Sequence, residues 1–303
     1  MTLPKLLLTG RQGQLGLAFY ENWEGMALSE HFDLVRVDRQ EFDITDSTRV
    51  KTFLDELHPS VILNTAAYTR VDDAETNPEE AYRVNDLAVG SLASWCATNS
   101  CKLIHLSTDF VFSGSATMPY SVCAGTGPLG VYGASKLAGE GHVLGKLPSS
   151  GLVVRTSWLY SEYGHNFVKT MLRLMSENRE LSVVSDQIGS PTSVHSLCLF
   201  IAKLIGSESA AGIYHFTDGG SLSWYEFAVT IQEMGIELGM LPKNSLVNPV
   251  PTESYPTPAK RPAYSVLDIS MSEEVTDRAS LDWKRELLKV LKRIQAGSEL
   301  EII

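Results

Sequence analysis

The chain opens with a short apolar strand pattern that runs directly into a glycine-rich turn. Lys5–Thr9 reads Lys-Leu-Leu-Leu-Thr, and glycines follow at positions 10, 13 and 16, with a helical pattern starting at Gln14. A strand, a glycine turn and a helix N-terminus make an anion site, because the amides point at a phosphate and glycines let the backbone approach it. This segment predicts a buried parallel strand in an α/β protein that binds a dinucleotide.

A second strand pattern favours a nucleotide over an ordinary helix cap, which glycines also provide. The glycines follow G-x-x-G-x-x-G rather than the G-x-G-x-x-G of the dehydrogenase fingerprint, so the turn alone does not decide. The apolar pattern at 33–37 ends at Asp38 and Arg39. An acid there can bind a ribose hydroxyl, and an arginine can bind the 2′-phosphate of NADPH. With Arg11 as a second cation, the sequence favours NADPH, and NADH stays possible.

Strand and helix patterns alternate along the first half of the chain. Strands are predicted at 5–9, 33–37, 61–64, 102–106 and 152–155, and helices at 14–22, 47–57, 79–98 and 132–145. Alternating β and α units form a parallel sheet with right-handed crossovers and helices on both faces. The predicted fold class is therefore α/β, with a Rossmann-like doubly wound parallel sheet.

The alternation breaks after Trp158, where a smaller α/β substrate domain is predicted. Helices are predicted at 167–177, 196–205, 224–234 and 283–294, and strands at 181–184 and 213–216, the last in the main sheet. The two domains are thus expected to interleave. The dinucleotide-binding domain would comprise residues 1–155 and about 190–222. The substrate domain would comprise about 156–189 and 223–281, and a C-terminal helix and tail would follow at 282–303.

Tyr132 and Lys136 stand four residues apart in a segment rich in helix formers. Residues at i and i+4 lie on one face of a helix. Because a nearby ammonium favours phenolate, Lys136 is expected to bring the pKa of Tyr132 closer to neutrality. Such a phenol can protonate a carbonyl oxygen while a hydride attacks the carbon. Isolated pairs of this kind also occur by chance on protein surfaces, so a catalytic interpretation of this pair depends on the other motifs.

The apolar pattern that begins at Lys102 ends in the polar residues Ser107, Thr108 and Asp109. Ligands of parallel sheets bind at the carboxyl ends of strands. Thr108 is therefore expected to hydrogen-bond the substrate oxygen beside Tyr132. A helix cap or a turn is the structural alternative for hydroxyls at a strand end. The predicted catalytic residues are Thr108, Tyr132 and Lys136.

The amino-acid composition says more about which partners the protein can bind than about its fold. The 303 residues carry a formal net charge of −11, with 20% charged and 44% hydrophobic residues. This composition is globular, and its acidic balance argues against nucleic acid, which needs basic patches. Without a signal-peptide pattern or an apolar run long enough for a membrane span, a cytoplasmic protein is expected. The four cysteines lack C-x-x-C spacing and are expected to be free thiols.

Together these motifs resemble the extended short-chain dehydrogenase/reductases and, within them, the dTDP-4-dehydrorhamnose reductase family. The resemblance runs nearly end to end, and the set is far more specific than any single motif. The matching segments are 8–10, 14–16, 64–69, 71–72, 74–75, 82–85, 107–112, 128–129, 131–133, 135–140, 155–158, 166–167, 186–187, 189, 191–192, 261–262, 265 and 267–268.

The resemblance implies which residues meet the two ligands. For the cofactor these are Gly10, Arg11, Gln12, Gly13, Gln14, Leu15, Asp38, Arg39, Asp43, Ile44, Ala66, Ala67, Tyr68, Asn85, Tyr132 and Lys136. For the substrate they are Thr69, Val71, Thr108, Asp109, Phe110, Trp158 and Arg261. By the same resemblance, Asn85 supports the lysine through water. Trp158 is alternatively a core residue, and Arg261 is alternatively structural.

The implied activity is NAD(P)H-dependent reduction of the 4-keto group of a nucleotide-linked 6-deoxyhexose, dTDP-4-dehydro-L-rhamnose to dTDP-L-rhamnose, for polysaccharide biosynthesis. A reductase or epimerase of another 4-keto nucleotide-sugar is a close alternative. A second class is also open, since the regulatory beta subunit of methionine adenosyltransferase resembles this fold and binds NADP as another enzyme's partner.

The chain departs from the family pattern at two places. Val122 and Ala124 stand where relatives usually carry acids, and Gly130 stands where they carry asparagine, so the nucleotide base and sugar stereochemistry stay open. Some bacterial members hold Mg²⁺ at a dimer interface through carboxylates near Ala18 and in the segment equivalent to 193–196. This chain has no carboxylates there, and a hard cation needs them. We therefore expect no metal, and a monomer or a metal-independent homodimer.

Overall fold

The fold is built around a parallel sheet in a computed structural model that describes residues 3–177, 180–276 and 281–300. The strands are β1 (Lys5–Thr9), β2 (Asp33–Val37), β3 (Val61–Asn64), β4 (Lys102–Thr108), β5 (Gly151–Thr156), β6 (Leu159–Tyr160), β7 (Leu181–Val184), β8 (Ile188–Gly189), β9 (Thr192–Ser193), β10 (Gly212–His215), β11 (Leu222–Ser223) and β12 (Val247–Val250).

The helices alternate with these strands as far as β5. They are α1 (Gln14–Glu21), α2 (Ser47–Leu57), α3 (Val71–Thr76), α4 (Pro78–Tyr82), α5 (Ala88–Asn99), α6 (Val131–Lys146), α7 (Phe167–Ser176), α8 (Val194–Gly206), α9 (Trp224–Glu237), α10 (Ser270–Thr276) and α11 (Trp283–Leu300). A π turn at Arg83–Leu87 joins α4 to α5.

The main sheet has six strands in the order β10-β5-β4-β3-β1-β2, all paired in parallel. Apolar clusters cover both of its faces. Phe19 of α1 and Phe200 of α8 lie in one cluster, and Leu54 of α2 and Leu92 of α5 lie in the other. The apolar runs of the central strands follow from burial on both faces. This arrangement confirms the predicted fold class.

The predicted strands of the main sheet and the long helices form close to their expected bounds. Asp46 caps α2 by accepting hydrogen bonds from the amides of Thr48 and Arg49, as Asp commonly does at this position. The largest difference lies at 79–98, where the structure has a short helix, a π turn and a second helix in place of one helix. Helices α3 and α10 were not predicted.

A third apolar cluster lies beyond the main sheet. It joins α7, α9 and α11 through residues such as Met171, Phe227 and Leu287. Three short two-stranded sheets surround it, pairing β11 with β8, β12 with β7, and β6 with β9. The proposed division into two interleaved domains stays a prediction. Within the described ranges, no helix combines the length and apolar character that a membrane crossing needs.

Candidate active site

The glycine turn packs tightly between β1 and the end of β3. Gly10 has a φ of +71°, and a Cβ there would lie 2.8 Å from Thr65 Oγ1. A Cβ on Gly16 would lie 2.5 Å from the Gly10 carbonyl oxygen. Positive φ and the lack of space both require glycine at position 10. The close packing of the turn therefore excludes side chains at Gly10 and Gly16.

A cavity of about 370 Å³ opens beside this turn. Its lining includes many residues expected to bind the cofactor, together with Thr69 from the substrate set. These are Gly10, Gly13, Asp38, Arg39, Asp43, Ile44, Ala66, Ala67, Tyr68 and Thr69. Tyr68 is buried, and its phenolic oxygen has no hydrogen-bond partner within the described residues. An unpartnered buried hydroxyl on a residue that lines a cavity suits a ligand that supplies the missing bond.

Asp38 is held by its neighbours at the end of β2. Arg11 Nη2 lies 2.8 Å and Gln12 Nε2 lies 3.0 Å from Asp38 Oδ2. Partial burial raises the pKa of Asp38, but amide hydrogen bonds from Glu41 and Gln40 and the charge of Arg11 outweigh it and lower the pKa overall. Asp38 is thus an anion that accepts hydrogen bonds, as a ribose contact requires.

Arg39 is the more accessible of the two predicted cations. Its side chain is 66% exposed, with Nε 3.4 Å from Asp43 Oδ2 and Nη2 3.7 Å from Glu80 Oε1. These long, solvent-exposed contacts leave the guanidinium free to turn toward a phosphate at modest cost. Arg11 is instead bonded to Asp38, so its direct role toward a 2′-phosphate is less favoured by the geometry.

Two further residues of the glycine turn face the protein interior. Gln14 Oε1 accepts hydrogen bonds of 2.9 Å from both Ser161 Oγ and Asn166 Nδ2. Leu15 is buried in the apolar cluster beneath the sheet. Any contact that these two residues make with a cofactor would therefore come from their backbone, and their assignment stays a prediction.

Thr108 and Tyr132 meet at the carboxyl end of β4. The Thr108 hydroxyl is near enough to the Tyr132 phenol to lower its pKa slightly, and Phe110 packs edge-on against the Tyr132 ring at 5.9 Å between centroids. Thr108 Oγ1 also donates to Asp109 Oδ1 at 3.0 Å and accepts from the Phe110 amide at 3.2 Å. These contacts show the turn-forming alternative for Thr108, and its contact with the substrate oxygen stays a prediction.

The expected effect of Lys136 on Tyr132 was wrong for this structure. Desolvation raises the pKa of Tyr132 to about 12, and the charge of Asp109 adds to this, against a smaller lowering by the Thr108 hydrogen bond. Lys136 Nζ instead donates to the Leu106 carbonyl and lies 3.5 Å from His105 Nε2. The phenol is therefore a proton donor across the neutral range.

Lys136 itself is the group with the unusual proton affinity. It is only 2% exposed, and desolvation lowers its pKa to about 8, against the opposing charge of Glu140. An ammonium in this position has few partners that could offset the loss of water. Strongly shifted values of this kind are common at functional sites.

Asn85 lies in the π turn and locks the backbone near the cavity. Its Oδ1 accepts from the Tyr68 amide at 2.9 Å, and its Nδ2 donates to the Tyr68 carbonyl and to Ser135 Oγ, each at 3.0 Å. Ser135 Oγ in turn lies 2.9 Å from the Tyr132 carbonyl oxygen. Asn85 thus ties the cofactor cavity to the helix that carries Tyr132 and Lys136. Its expected support of the lysine through water stays a prediction.

A buried polar relay was missed from sequence. Thr9 Oγ1 lies 2.7 Å from Asn64 Oδ1, Asn64 Nδ2 lies 3.2 Å from His105 Nδ1, and His105 Nε2 faces Lys136. Burial, together with the charge of Lys136, holds the pKa of His105 well below its usual range. A histidine within an apolar strand was the visible signal, but only the folded chain shows that it lies beside Asn64 on β3 and Lys136 on α6.

Behind this relay, Glu140 and Arg155 form a buried ion pair. Arg155 donates to the Glu140 carboxylate through Nε at 2.9 Å and Nη2 at 2.6 Å, and both side chains are at most 3% exposed. The hydroxyl of Ser107 bonds the same carboxylate. The pair joins α6 to β5, so it fixes the catalytic helix against the sheet.

The residues expected to bind substrate form two groups. Val71, Phe110 and Tyr132 line one small crevice beside Lys260 and Pro262. Asp109 is buried next to Thr108. Desolvation raises the pKa of Asp109 to about 6, although hydrogen bonds with Ser265 and Thr108 act in the opposite direction.

The other two predicted substrate residues are engaged within the protein. The Arg261 guanidinium pairs with Asp72 at 2.8 and 3.1 Å. Trp158 has a φ of +48° and stacks on Trp224 at 3.5 Å between ring centroids. Both observations favour the structural alternatives for these two residues, and their substrate contacts stay predictions.

An acidic cluster with one histidine lies away from this site. Glu21, Glu162 and His195 place ligand atoms within 4.8 Å of one another. Arg293 Nη1 lies 2.9 Å from Glu21 Oε1 and 3.2 Å from Glu162 Oε1, and His195 Nε2 lies 2.9 Å from Glu162 Oε2. The guanidinium therefore already supplies a positive charge between the two carboxylates.

Comparison with known proteins agrees with the site. The model of the RmlD substrate binding domain family matches residues 4–296. A dTDP-4-dehydrorhamnose reductase of Aggregatibacter actinomycetemcomitans is 39% identical and covers 98% of this chain and 100% of its own. Solved dTDP-4-dehydrorhamnose reductases from Clostridium acetobutylicum and, in complex with NADP, from Bacillus anthracis are each 37% identical. Both alignments cover 96% of this chain. The Clostridium structure is covered over 99% of its own chain with a TM-score of 0.88, and the Bacillus structure over 100% with a TM-score of 0.87. On sequence and structure alike, the chain belongs to the dTDP-4-dehydrorhamnose reductase family.

Proposed function

We propose that this protein is an NADPH-dependent reductase that converts dTDP-4-dehydro-L-rhamnose to dTDP-L-rhamnose. The observation that carries the proposal is the placement of two hydroxyl residues: Thr108 ends β4, and Tyr132 packs against the cluster of Tyr68, which lines the cavity of the glycine turn. Family membership and the NADP complex of the Bacillus anthracis relative support the choice of substrate and cofactor.

The residues present fit a dinucleotide. The Gly10 and Gly16 positions have no room for a Cβ. The cavity is lined by Asp38, Arg39 and Tyr68, and the buried Tyr68 hydroxyl has no hydrogen-bond partner within the described residues. Gly10 to Gly13 would hold the phosphates, and Asp38 with Arg39 the adenosine ribose and its phosphate. When bound, NADPH supplies the hydride for the carbonyl carbon.

The chain supplies the proton and the orientation. Thr108 holds the substrate's carbonyl oxygen, and Tyr132 donates a proton to it as negative charge develops, a transfer that its raised pKa permits near neutrality. Lys136 lies one helical turn after Tyr132, and its ammonium, when protonated, donates to the Leu106 carbonyl near the end of β4. Positive charge there stabilises the developing oxyanion. A cytoplasmic location is part of the proposal.

A panel of 4-keto nucleotide-sugars tests the proposal directly. Purified protein is mixed with NADPH and with dTDP-, UDP- or GDP-linked 4-keto-6-deoxyhexoses, and absorbance at the nicotinamide band is followed. Consumption with dTDP-4-dehydro-L-rhamnose supports the proposal. Turnover only with another sugar shows a different reductase or epimerase, and NADPH binding without turnover of any sugar shows a regulatory binding subunit.

A further inference from the structure

The helix that carries Tyr132 begins without a side-chain cap of its own. Gly130 is the N-cap of α6, with an extended backbone and no side-chain hydrogen bond. The first amides of a helix have no partner within the helix, and they need one from elsewhere. Tyr132 is the second residue of α6, so fraying of the first turn would move the phenol directly.

Glu75 supplies the missing partner from another helix. Its Oε1 accepts a hydrogen bond of 2.8 Å from the Val131 amide. A Cβ at Gly130 would lie 2.5 Å from this same oxygen, so the absence of a side chain there makes room for the carboxylate. A negative charge at a helix N-terminus is also favoured by the helix dipole.

Helix α3, which carries Glu75, is fixed at its other end. Asp72 pairs with Arg261 through both carboxylate oxygens, and its Oδ1 accepts from the Ala259 amide at 3.1 Å. Val71 and Glu75 line the same crevice as the Tyr132 ring. The carboxylate that caps α6 is thus presented by a short helix with anchored ends.

We propose that Glu75 is a positioning residue for Tyr132, capping α6 from outside and fixing the first turn from which the phenol reaches the substrate. The effect on turnover rests on the proposed reductase function, whereas the cap itself does not. The requirement is for an acceptor oxygen at the Val131 amide, so Glu75→Gln should retain most of the effect and Glu75→Ala should lose it.

The decisive experiment compares Glu75→Ala with Glu75→Gln, because glutamine keeps an acceptor oxygen for the Val131 amide and alanine does not. Glu75→Ala should lower kcat about fivefold to tenfold with KM for NADPH nearly unchanged, a size expected for a lost cap. Glu75→Gln should keep kcat close to the wild-type value. Glu79→Ala, an exposed acid nearby, is the matched control.

Amide hydrogen exchange of the peptide containing Val131 gives a second readout that needs no substrate. Glu75→Ala should speed exchange there, and Glu75→Gln should keep the protection. Unchanged kcat and exchange in Glu75→Ala, or a Glu75→Gln variant no better than Glu75→Ala, overturns the proposal. So does a loss of thermal stability without any change in kcat. If the wild-type protein reduces no 4-keto sugar, the proposed function fails while the exchange pattern still decides the cap.

Discussion

At the scale of single residues, Tyr132 is the group on which turnover should depend most. Replacing it with Phe removes the transferred proton while leaving the helix and the cavity in place. We expect kcat to fall by roughly 10²–10⁴-fold, with NADPH affinity almost intact, because the interaction is made in the transition state. Steady-state kinetics and a fluorescence titration with NADPH check this. A near-normal kcat would remove Tyr132 from the mechanism.

The pKa of Lys136, lowered to about 8 by desolvation, predicts opposite trends for activity and stability. Loss of the ammonium should lower kcat/KM above about pH 8. The unfolded chain keeps this proton up to its ordinary pKa of 10.5, so it binds more protons than the folded chain between the two values. The contribution of Lys136 to the free energy of unfolding therefore rises over that interval. Activity profiles and denaturant melts across pH 6–10 test both, and a flat alkaline limb of kcat/KM contradicts the assignment.

Cofactor choice should depend on Arg39. Its exposed guanidinium lines the cavity, and a charge-assisted contact with phosphate is worth roughly 1.5–3 kcal/mol when partly buried. Arg39→Ala should therefore raise KM for NADPH more than KM for NADH. Arg49→Ala, an exposed cation on α2, is the control. Equal effects on the two cofactors would place Arg39 outside the phosphate contact.

The positions of the chemical groups followed from sequence better than their environment did. Thr108 and Tyr132 were predictable because strand ends and helical spacing are local properties of the chain. The effect of Lys136 was not, since it depends on desolvation and on the Leu106 carbonyl, which only the folded chain brings together. The same holds for the relay through His105, which requires the register of neighbouring strands.

At the scale of elements, the π turn places Asn85 where it should stabilise the fold as well as serve the candidate site. Asn85→Ala would leave the buried amide and carbonyl of Tyr68 without their partners. Each unsatisfied buried group costs about 1–3 kcal/mol, so for two groups we expect a loss of roughly 2–6 kcal/mol in the free energy of unfolding. Urea denaturation measures it, with the exposed Asn99→Ala as control. A loss below about 0.5 kcal/mol would mean that the backbone finds other partners.

The elements themselves were largely predictable, with two informative exceptions. The main strands are apolar runs bounded by turn residues, which local pattern reveals. The π turn was not predictable, because one extra residue in a helical turn hardly alters the apolar spacing over 79–98. Helix α3 is only six residues long and rich in acids, so its stability comes from its contacts with Arg261 and α6 rather than from propensity.

At the scale of the whole molecule, the cluster of Glu21, Glu162 and His195 predicts indifference to chelators. Arg293 already lies between the two carboxylates, so a bound cation would have to displace it. EDTA should change neither the rate of NADPH oxidation nor the sedimentation coefficient. Added Mg²⁺ should likewise leave the mass in solution unchanged. A chelator-induced shift from dimer to monomer, reversed by Mg²⁺, would show a metal site that the geometry does not suggest.

The order of the strands in the sheet has a consequence for the nascent chain during synthesis. Strand β5 is flanked by β4 and by β10, and β10 lies at the sheet edge. A ribosome that has just released β5 must still add the segment up to His215 before that edge is covered, on the order of seconds at ordinary elongation rates. During this interval β5, every residue of which is buried in the finished fold, presents open amides and carbonyls. A chain that stalls near residue 160 would hold its nucleotide loop and most of its sheet, yet remain a template for pairing with its neighbours.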